Sequence, residues 1–150
     1  MTLTYSPATV RDLPAIQHLL NRCQLPADDV GEHLNHFLVA RKDGRIVGTV
    51  GLEVYGTSGF LRSLAVDEGF RGEGIGKALY AAVAEHAATL RIQQLSLLTT
   101  TAEHFFAKHG FVRVERNQIP QYVRATKEFR LYCPSTAVCM SKVVSGGTSP

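Results

Sequence analysis

The segment with the clearest chemical potential carries three glycines at alternate positions between an arginine and a lysine, as FRGEGIGK at residues 70–77. Glycine lets backbone N–H groups approach an anion, because it lacks a Cβ and tolerates left-handed backbone angles. The residues from Ile75 onward have helical spacing, and a helix N-terminus adds partial positive charge. The segment therefore predicts a phosphate-binding turn. The structural alternative is a turn that only caps a helix.

Two common phosphate-binding patterns do not fit this segment. A P-loop requires G-x-x-x-x-G-K-[ST], but Arg71 stands at the first glycine position and Ala78 follows Lys77. The dinucleotide fingerprint G-x-G-x-x-G fails because Lys77 stands three residues after Gly74. Neither a P-loop nucleotide site nor a dinucleotide fold is indicated.

The elements that must position this turn alternate in a way typical of an α/β (α+β) domain. The patterns predict strands at residues 36–41, 45–55, 60–66, 94–99, 111–115 and 137–144. They predict helices at residues 10–23, 75–90, 102–109 and 119–131. The three strands before the turn favour an antiparallel meander with a Lys42-Asp43-Gly44 hairpin turn, and the strand, helix, strand, helix order after residue 60 favours a parallel crossover. We expect one domain at residues 1–144 and a disordered tail at residues 145–150.

Composition excludes several classes of function. The net charge is +3 with scattered basic residues, which does not indicate nucleic-acid binding. No apolar run approaches 18 residues and no signal peptide is evident, so neither a membrane protein nor a secreted protein is expected. Cys23, Cys133 and Cys139 lack C-x-x-C spacing, which argues against a disulfide framework or a zinc site. These features predict a cytoplasmic chain without a metal.

Two motifs carry a family resemblance. Residues 71–76, after a strand that ends with residues 64–66, resemble the R/Q-x-x-G-x-G/A signature of the GNAT superfamily of N-acetyltransferases. Residues 102–111, AEHFFAKHGF, resemble the family's A-x-x-F-Y-x-x-x-G-F helix. The resemblance implies a single-domain GNAT fold with a central mixed, mostly antiparallel sheet of six to seven strands, flanked by about four helices. It also implies acetyl-coenzyme A as cosubstrate.

The same resemblance assigns residues to the coenzyme. Those implied to bind acetyl-CoA are Leu64, Ala65, Val66, Arg71, Gly72, Glu73, Gly74, Ile75, Gly76, Lys77, Thr99, Phe105 and Phe106. In the family an amine attacks the thioester directly, no metal is required, and a backbone N–H at the position matching Val66 stabilises the oxyanion.

Two proton transfers accompany this reaction. We expect Glu53 to act as the general base through water, with His104 as a second candidate, although a solvated sheet residue is the alternative for Glu53. The family often uses tyrosine to protonate the thiolate at the position of Phe106, so this role would pass to water or to Thr99 or Thr100.

The residues expected to contact the acceptor are Tyr55, Arg62, Ser63 and Arg124. Strand alternation predicts that Arg62 and Ser63 point to opposite faces, with Arg62 reaching a carboxylate of the acceptor. An exposed surface ion pair is the alternative for Arg62. The segment at residues 119–140, together with HFLVAR, FLRSLAV and LLTTTAEHFFAKHGF, resembles the acetyltransferase branch associated with bacterial arsenic-resistance operons, and the likeness spans residues 3 to about 143. This branch implies an amine-bearing toxic amino acid or related compound as acceptor.

These observations predict an acetyl-CoA-dependent N-acetyltransferase acting on a small amine or amino acid. One alternative is a CoA-binding sensor or regulatory module without turnover, which the missing tyrosine would permit. Another is acetylation of a protein or peptide amine. Dimers are frequent in the superfamily, so a homodimer is compatible with the sequence, although no stretch identifies an interface.

Overall fold

The computed structural model describes residues 3–125 and 137–144. Within these residues the β-strands are β1 (Leu3–Pro7), β2 (Phe37–Lys42), β3 (Arg45–Tyr55), β4 (Ser58–Val66), β5 (Gln94–Thr99), β6 (Val112–Val114) and β7 (Val138–Val143). The α-helices are α1 (Leu13–Arg22), α2 (Ile75–Thr89), α3 (Glu103–Lys108) and α4 (Gln121–Arg124). Short 3-10 helices occur at Val10–Asp12, Val30–His36, Glu68–Phe70 and Arg116–Gln118.

The strands form one mixed sheet in the order β1-β2-β3-β4-β5-β7-β6. β4 and β5 pair in parallel, with Ser58–Phe60 opposite Gln94–Ser96. The pairs β1/β2, β2/β3, β5/β7 and β6/β7 are antiparallel. The predicted mixed, mostly antiparallel sheet of six to seven strands with about four helices is confirmed.

Contacts divide the chain into two compact units, which are residues 1–53 with 62–86 and residues 54–61 with 87–150. In the first unit, α1 packs its apolar face on β2 through Ile16, Leu19, Leu20, Phe37 and Val39. This burial removes apolar surface from water and fixes the helix against the sheet. In the second unit, a smaller apolar cluster contains Phe60, Ile119, Val123 and Cys139.

The hairpin between β2 and β3 has the predicted turn. Asp43 and Gly44 have φ of 53° and 83°. A two-residue hairpin of this kind needs positive φ at both central positions, and Asp-Gly is a preferred pair for it. The turn sequence was therefore sufficient to place the hairpin.

Several boundaries differ from the predictions for local reasons. β1 was not predicted as a strand, because it is short and ends at Pro7, yet it pairs with β2 over its full length. The predicted helix at residues 10–23 begins with a 3-10 turn, where Asp12 accepts hydrogen bonds from the backbone and hydroxyl of Thr9 at 2.8 and 3.1 Å. The 3-10 helix Val30–His36 was not predicted. It includes His36, which was predicted as the first residue of the strand at residues 36–41.

In the second unit, α3 ends as expected before Gly110, whose φ of 92° favours glycine. α4 covers only four residues of the predicted helix at 119–131, whose end lies outside the described residues. The expected tail at 145–150 also lies outside them, so the predicted domain limits stay a prediction. Within the described residues, no helix combines the length and apolar character needed to cross a membrane.

Candidate functional site

The glycine turn between β4 and α2 adopts the backbone geometry that its sequence predicts. Gly72 and Gly74 have φ of 83° and 84°, in the left-handed region that L residues rarely adopt. No atom lies within 4 Å of the Cβ that either position would carry. Glycine is therefore required at both positions for backbone conformation, and the space above the turn is open.

The turn opens directly into α2. The first hydrogen bond of this helix runs from Ala78 N–H to Gly74 C=O at 3.0 Å. The N–H groups of Ile75, Gly76 and Lys77 precede that bond, at a helix terminus where N–H groups lack intrahelical acceptors. The side chains of Arg71 and Lys77 are exposed beside the turn, and Ile75 is buried beneath it. This arrangement is suited to an anion such as a phosphate.

The end of β4 is held in place by side chains around the turn. Arg71 donates from Nε to the carbonyl of Val66 at 3.0 Å, and Glu73 pairs with Lys42 at 3.7 Å. Leu64 and Val66 are half-buried and Ala65 is buried, all on this strand end. The predicted coenzyme residues of the first unit are thus continuous along the chain from β4 into α2.

Asp67 fixes the start of the turn. Its carboxylate accepts from Arg22 at 2.9 Å, from Arg45 at 3.3 Å and from the Gly69 backbone at 3.2 Å. The hydrogen bond from Arg22 is the main reason that the pKa of Asp67 lies below its usual range, so the carboxylate is charged at neutral pH. Asp67 lies outside the motifs that the sequence presents.

A second polar cluster of the first unit is buried around Arg62, whose side chain is 0% exposed. Arg62 binds Asp29 through two parallel hydrogen bonds of 2.9 and 2.7 Å and donates to Glu53 Oε2 at 2.7 Å. Side-chain exposure is 2% at Asp29 and 1% at Glu53. Both structural alternatives, a solvated Glu53 and an exposed Arg62, are wrong, because one buried guanidinium joins two buried carboxyl groups.

The charge state of Asp29 follows from these contacts. Burial raises the pKa of Asp29, but the hydrogen bonds and charge of Arg62, with the charge of His33, outweigh it and hold the pKa below its usual range. The predicted contact between Arg62 and the acceptor stays a prediction. In this arrangement the guanidinium faces Asp29 and Glu53.

Ser63 departs from regular strand geometry. Its φ of 62° is left-handed, and its hydroxyl accepts a hydrogen bond from Arg62 Nε at 3.0 Å. The expectation that Arg62 and Ser63 point to opposite faces is therefore wrong, because alternation holds only where the backbone stays extended. The turned backbone at Ser63 brings its hydroxyl to the guanidinium.

His33 lies at the edge of this cluster. Its Nε2 atom is 3.6 Å from Glu53 Oε2 and 4.0 Å from Asp29 Oδ2, and 23% of its side chain is exposed. Asp29, His33 and Glu53 place their ligand atoms within 4.8 Å of one another, a spacing that could suit a metal ion. Arg62, however, already supplies a cation to both carboxyl groups, so the donor set does not favour a metal.

The remaining predicted residues belong to the second unit. Thr99 is half-buried and accepts from the Ala102 backbone at 2.9 Å, where its hydroxyl holds the start of α3. Phe106 is buried and packs on Phe111 with ring centroids 5.6 Å apart, so it is part of the apolar core. Phe105 and Tyr55 are half-buried. Arg124 donates to the Ile119 carbonyl at 3.1 Å, within the same segment, and His104 is exposed.

Asp29 and His33 were the residues that sequence reasoning missed at the buried cluster. Both lie between α1 and β2, in a stretch without strong periodicity, and His33 had the character of an ordinary loop residue. No local sequence pattern marks Asp29 as a partner of Arg62, because the two residues are 33 positions apart in the chain. His33 likewise belongs to no motif.

Known proteins resemble this chain in both sequence and structure. A family model described as Acetyltransferase (GNAT) domain matches residues 33–113. The amino-acid acetyltransferase of Mycobacterium tuberculosis H37Rv is 34% identical over 118 residues, which are 72% of this chain and 67% of that protein.

Two solved structures share the fold. Rv2747 from M. tuberculosis, in complex with CoA and NLQ, superimposes with a TM-score of 0.77 at 26% identity, over 94% of this chain and 99% of that one. N-acetylglutamate synthase from Neisseria gonorrhoeae, complexed with coenzyme A and N-acetyl-glutamate, gives a TM-score of 0.83 at 20% identity. That match covers 95% of this chain and 35% of the synthase chain, so this chain spans about a third of the synthase. The family model spans more than half of the sequence, and the chain therefore belongs to the GNAT family of acetyltransferases.

Proposed function

We propose that this chain is an acetyl-CoA-dependent N-acetyltransferase that acetylates the amine of a small molecule, with a free amino acid as the preferred acceptor class. The observation that carries this proposal is the turn with left-handed Gly72 and Gly74, which opens α2 directly after β4. Relatives that are named amino-acid acetyltransferases support the choice of acceptor.

The residues around the turn fit the pyrophosphate of the coenzyme. Backbone N–H groups of residues 72–77 would bind its oxygens, since the left-handed glycines leave open space above them. Arg71 and Lys77 would add charge. The backbone of Leu64–Val66 would bind the extended arm of the coenzyme like an added strand. Thr99, Phe105 and Phe106 stay proposed coenzyme contacts.

The bound coenzyme supplies an activated thioester that an amine can attack directly. The Val66 N–H would stabilise the negative charge that develops on the acyl oxygen. Arg71 supports this role, because its hydrogen bond to the Val66 carbonyl restrains the strand end. Glu53 would accept the proton of the acceptor's ammonium group through water.

Around the acceptor, Tyr55, Ser63 and Arg124 are the proposed contacts. Arg62 would position Glu53, to which it donates at 2.7 Å, and this contact supports Arg62 as part of the acceptor site. The finer proposal of a toxic amino-acid analogue linked to arsenic resistance rests on the resemblance of residues 119–140 and of the three stretches quoted with them. Within that segment, residues 126–136 lie outside the described residues. A cytoplasmic location and a homodimer belong to the same proposal.

Thiol release from acetyl-CoA tests the proposal directly. Purified protein is incubated with acetyl-CoA and, in turn, each free L-amino acid, an amine-bearing toxic amino-acid analogue and short peptides. The chain has three cysteines, so a blank without acceptor corrects for its own thiols. We expect release with at least one free amino acid and a product heavier by one acetyl group.

The other outcomes favour the alternatives. Tight coenzyme binding by calorimetry, with no release for any acceptor, would favour the sensor or regulatory module. Peptides that outcompete free amino acids would favour a protein or peptide acetyltransferase.

A further inference from the structure

The buried cluster of the first unit has one partly exposed member. Arg62, Asp29 and Glu53 have side-chain exposures of 0%, 2% and 1%, whereas His33 has 23%. The Nε2 atom of His33 lies 3.6 Å from Glu53 Oε2. Among the described members of this cluster, His33 is thus the one whose side chain reaches solvent over a substantial fraction of its surface.

A buried carboxylate that accepts a proton in each cycle must also lose it. Arg62 cannot accept that proton, because a guanidinium stays protonated at any ordinary pH. Asp29 is a poor acceptor, because Arg62 donates to both of its carboxylate oxygens and holds its pKa below the usual range. An imidazole is well suited to the task, since it can take a proton on one nitrogen and release it from the ring to water.

We propose that His33 carries the proton from Glu53 to solvent, and that Asp29 and Arg62 position Glu53 and His33 for this transfer. The inference rests on the proposed function and adds a proton-relay residue to it. Asp29 lies four residues before His33, with Oδ2 4.0 Å from Nε2, so it can stabilise the imidazolium that the transfer creates.

The proton balance is complete. The acceptor enters as an ammonium ion and loses one proton to Glu53, through water, before its nitrogen attacks the thioester carbonyl. The C–N bond forms, the C–S bond breaks, and the nitrogen loses its second proton. One of the two protons ends on the departing thiolate of CoA, and the other passes from Glu53 to His33 and then to water.

The charged and titratable groups around His33 come from several elements. Asp29 precedes its 3-10 helix, Glu53 comes from β3, and Arg62 from β4 lies behind both carboxyl groups. His36, on the same 3-10 helix, lies near enough for their charges to interact, and its Nδ1 is 3.0 Å from Nε2 of His86 on α2. Burial, and then the charges of His86 and His33, hold the pKa of His36 below its usual range, so His36 adds little positive charge near neutral pH.

A pH–rate profile of the full chain tests the relay. For an acceptor that supports thiol release, kcat of His33→Gln should fall about 100-fold, the scale of a lost acid–base group. The acid limb of kcat/KM should also flatten, while the KM for acetyl-CoA stays within about twofold. His18→Gln, at an exposed position of α1, is the matched control and should keep the wild-type profile. A wild-type profile in His33→Gln would overturn the relay.

Chemical rescue separates proton transfer from a structural role. In His33→Ala, added imidazole should restore at least a tenth of the lost kcat, because the position is partly open to solvent. Folded His33→Ala protein that has lost activity and that imidazole does not restore would overturn the relay. It would indicate that His33 acts by packing against its neighbours and positioning them instead.

A measurement without acceptor tests the coupling to Glu53. The His33 ring signals in NMR spectra should differ between the wild type and Glu53→Gln at the same pH, because Glu53 Oε2 lies 3.6 Å from His33 Nε2. An unchanged signal would overturn the relay. No thiol release with any acceptor would overturn the proposed function and the relay together, whereas release that His33→Gln leaves unchanged would overturn the relay alone.

Discussion

Replacing Arg62 with methionine should destabilise the fold strongly, because it leaves Asp29 and Glu53 buried without their cation. Arg62 donates three charge-assisted hydrogen bonds to these carboxyl groups at 2.7, 2.7 and 2.9 Å and a fourth bond to Ser63. Methionine fills similar space but has no donor. Removing one partner of a buried ion pair costs about 3–5 kcal/mol, and we expect this range for the loss in free energy of unfolding near neutral pH.

The loss should depend on pH in a direction that the structure fixes. In the wild type the pKa of Asp29 is lowered, so its contribution is present above the unfolded pKa of about 3.9 and disappears as the pH falls through the folded value. Without Arg62, burial has only the weaker effects of the His33 charge and a backbone hydrogen bond against it, so it raises the pKa of Asp29. Asp29 of the folded variant then takes up a proton more readily than Asp29 of the unfolded chain. Each unit by which the pKa of Asp29 is raised returns about 1.4 kcal/mol of the lost free energy of unfolding at low pH.

Urea denaturation followed by far-UV circular dichroism at pH 7.5 and pH 4.5 would measure both effects, and the absence of tryptophan makes dichroism the better probe. Arg113→Met is the control, because that side chain is 66% exposed and its pair with Glu103 spans 3.5 Å. We expect it to stay within about 0.5 kcal/mol of the wild type. If Arg62→Met does not fold, the added changes Asp29→Asn and Glu53→Gln should restore folding. A loss below about 1 kcal/mol, or one equal at both pH values, would refute this explanation.

Three further predictions concern the backbone and the thiols. Gly74→Ala and Gly44→Ala impose similar backbone strain, since both glycines have φ near 84° and neither added Cβ would meet an atom within 4 Å. Only Gly74→Ala should raise the Kd for acetyl-CoA, as measured by calorimetry. Equal Kd values in both variants would remove the turn from the coenzyme site. Gly51→Ala would drive a Cβ into the buried Phe37 ring and should cost about 1–3 kcal/mol in urea denaturation. Gly31→Ala, whose Cβ would have its nearest contact at 3.4 Å, should be nearly neutral. Cys139 is 4% exposed and burial raises its pKa, so peptide mapping after iodoacetamide treatment at pH 8 should find it almost unmodified; rapid labelling would show that this strand opens.

Features encoded by short stretches were the ones that could be predicted. The Asp43-Gly44 turn needs positive φ at both positions, and few residue pairs satisfy that need. The glycine turn at residues 72–76 is similar, because strand, turn and helix follow one another along the chain and their geometry depends mostly on neighbours in sequence. Element boundaries were predicted less accurately where the local sequence has little preference for a strand and pairing with a distant strand decides the structure. An example is β1, which forms by pairing with the edge of β2.

The amino-acid sequence was thus enough to indicate the family and the turn proposed to bind the coenzyme, since both depend on short motifs. It also indicated the mixed sheet, through the order of strands and helices along the chain. It did not reveal the environment of Arg62. That environment depends on Asp29, 33 residues away, on Glu53 of the preceding strand, and on a left-handed Ser63 that breaks strand alternation. Charges so far apart in the chain meet only when the sheet and the loop before β2 are packed together. For that reason the tertiary structure alone showed Glu53 buried beside a partly exposed histidine.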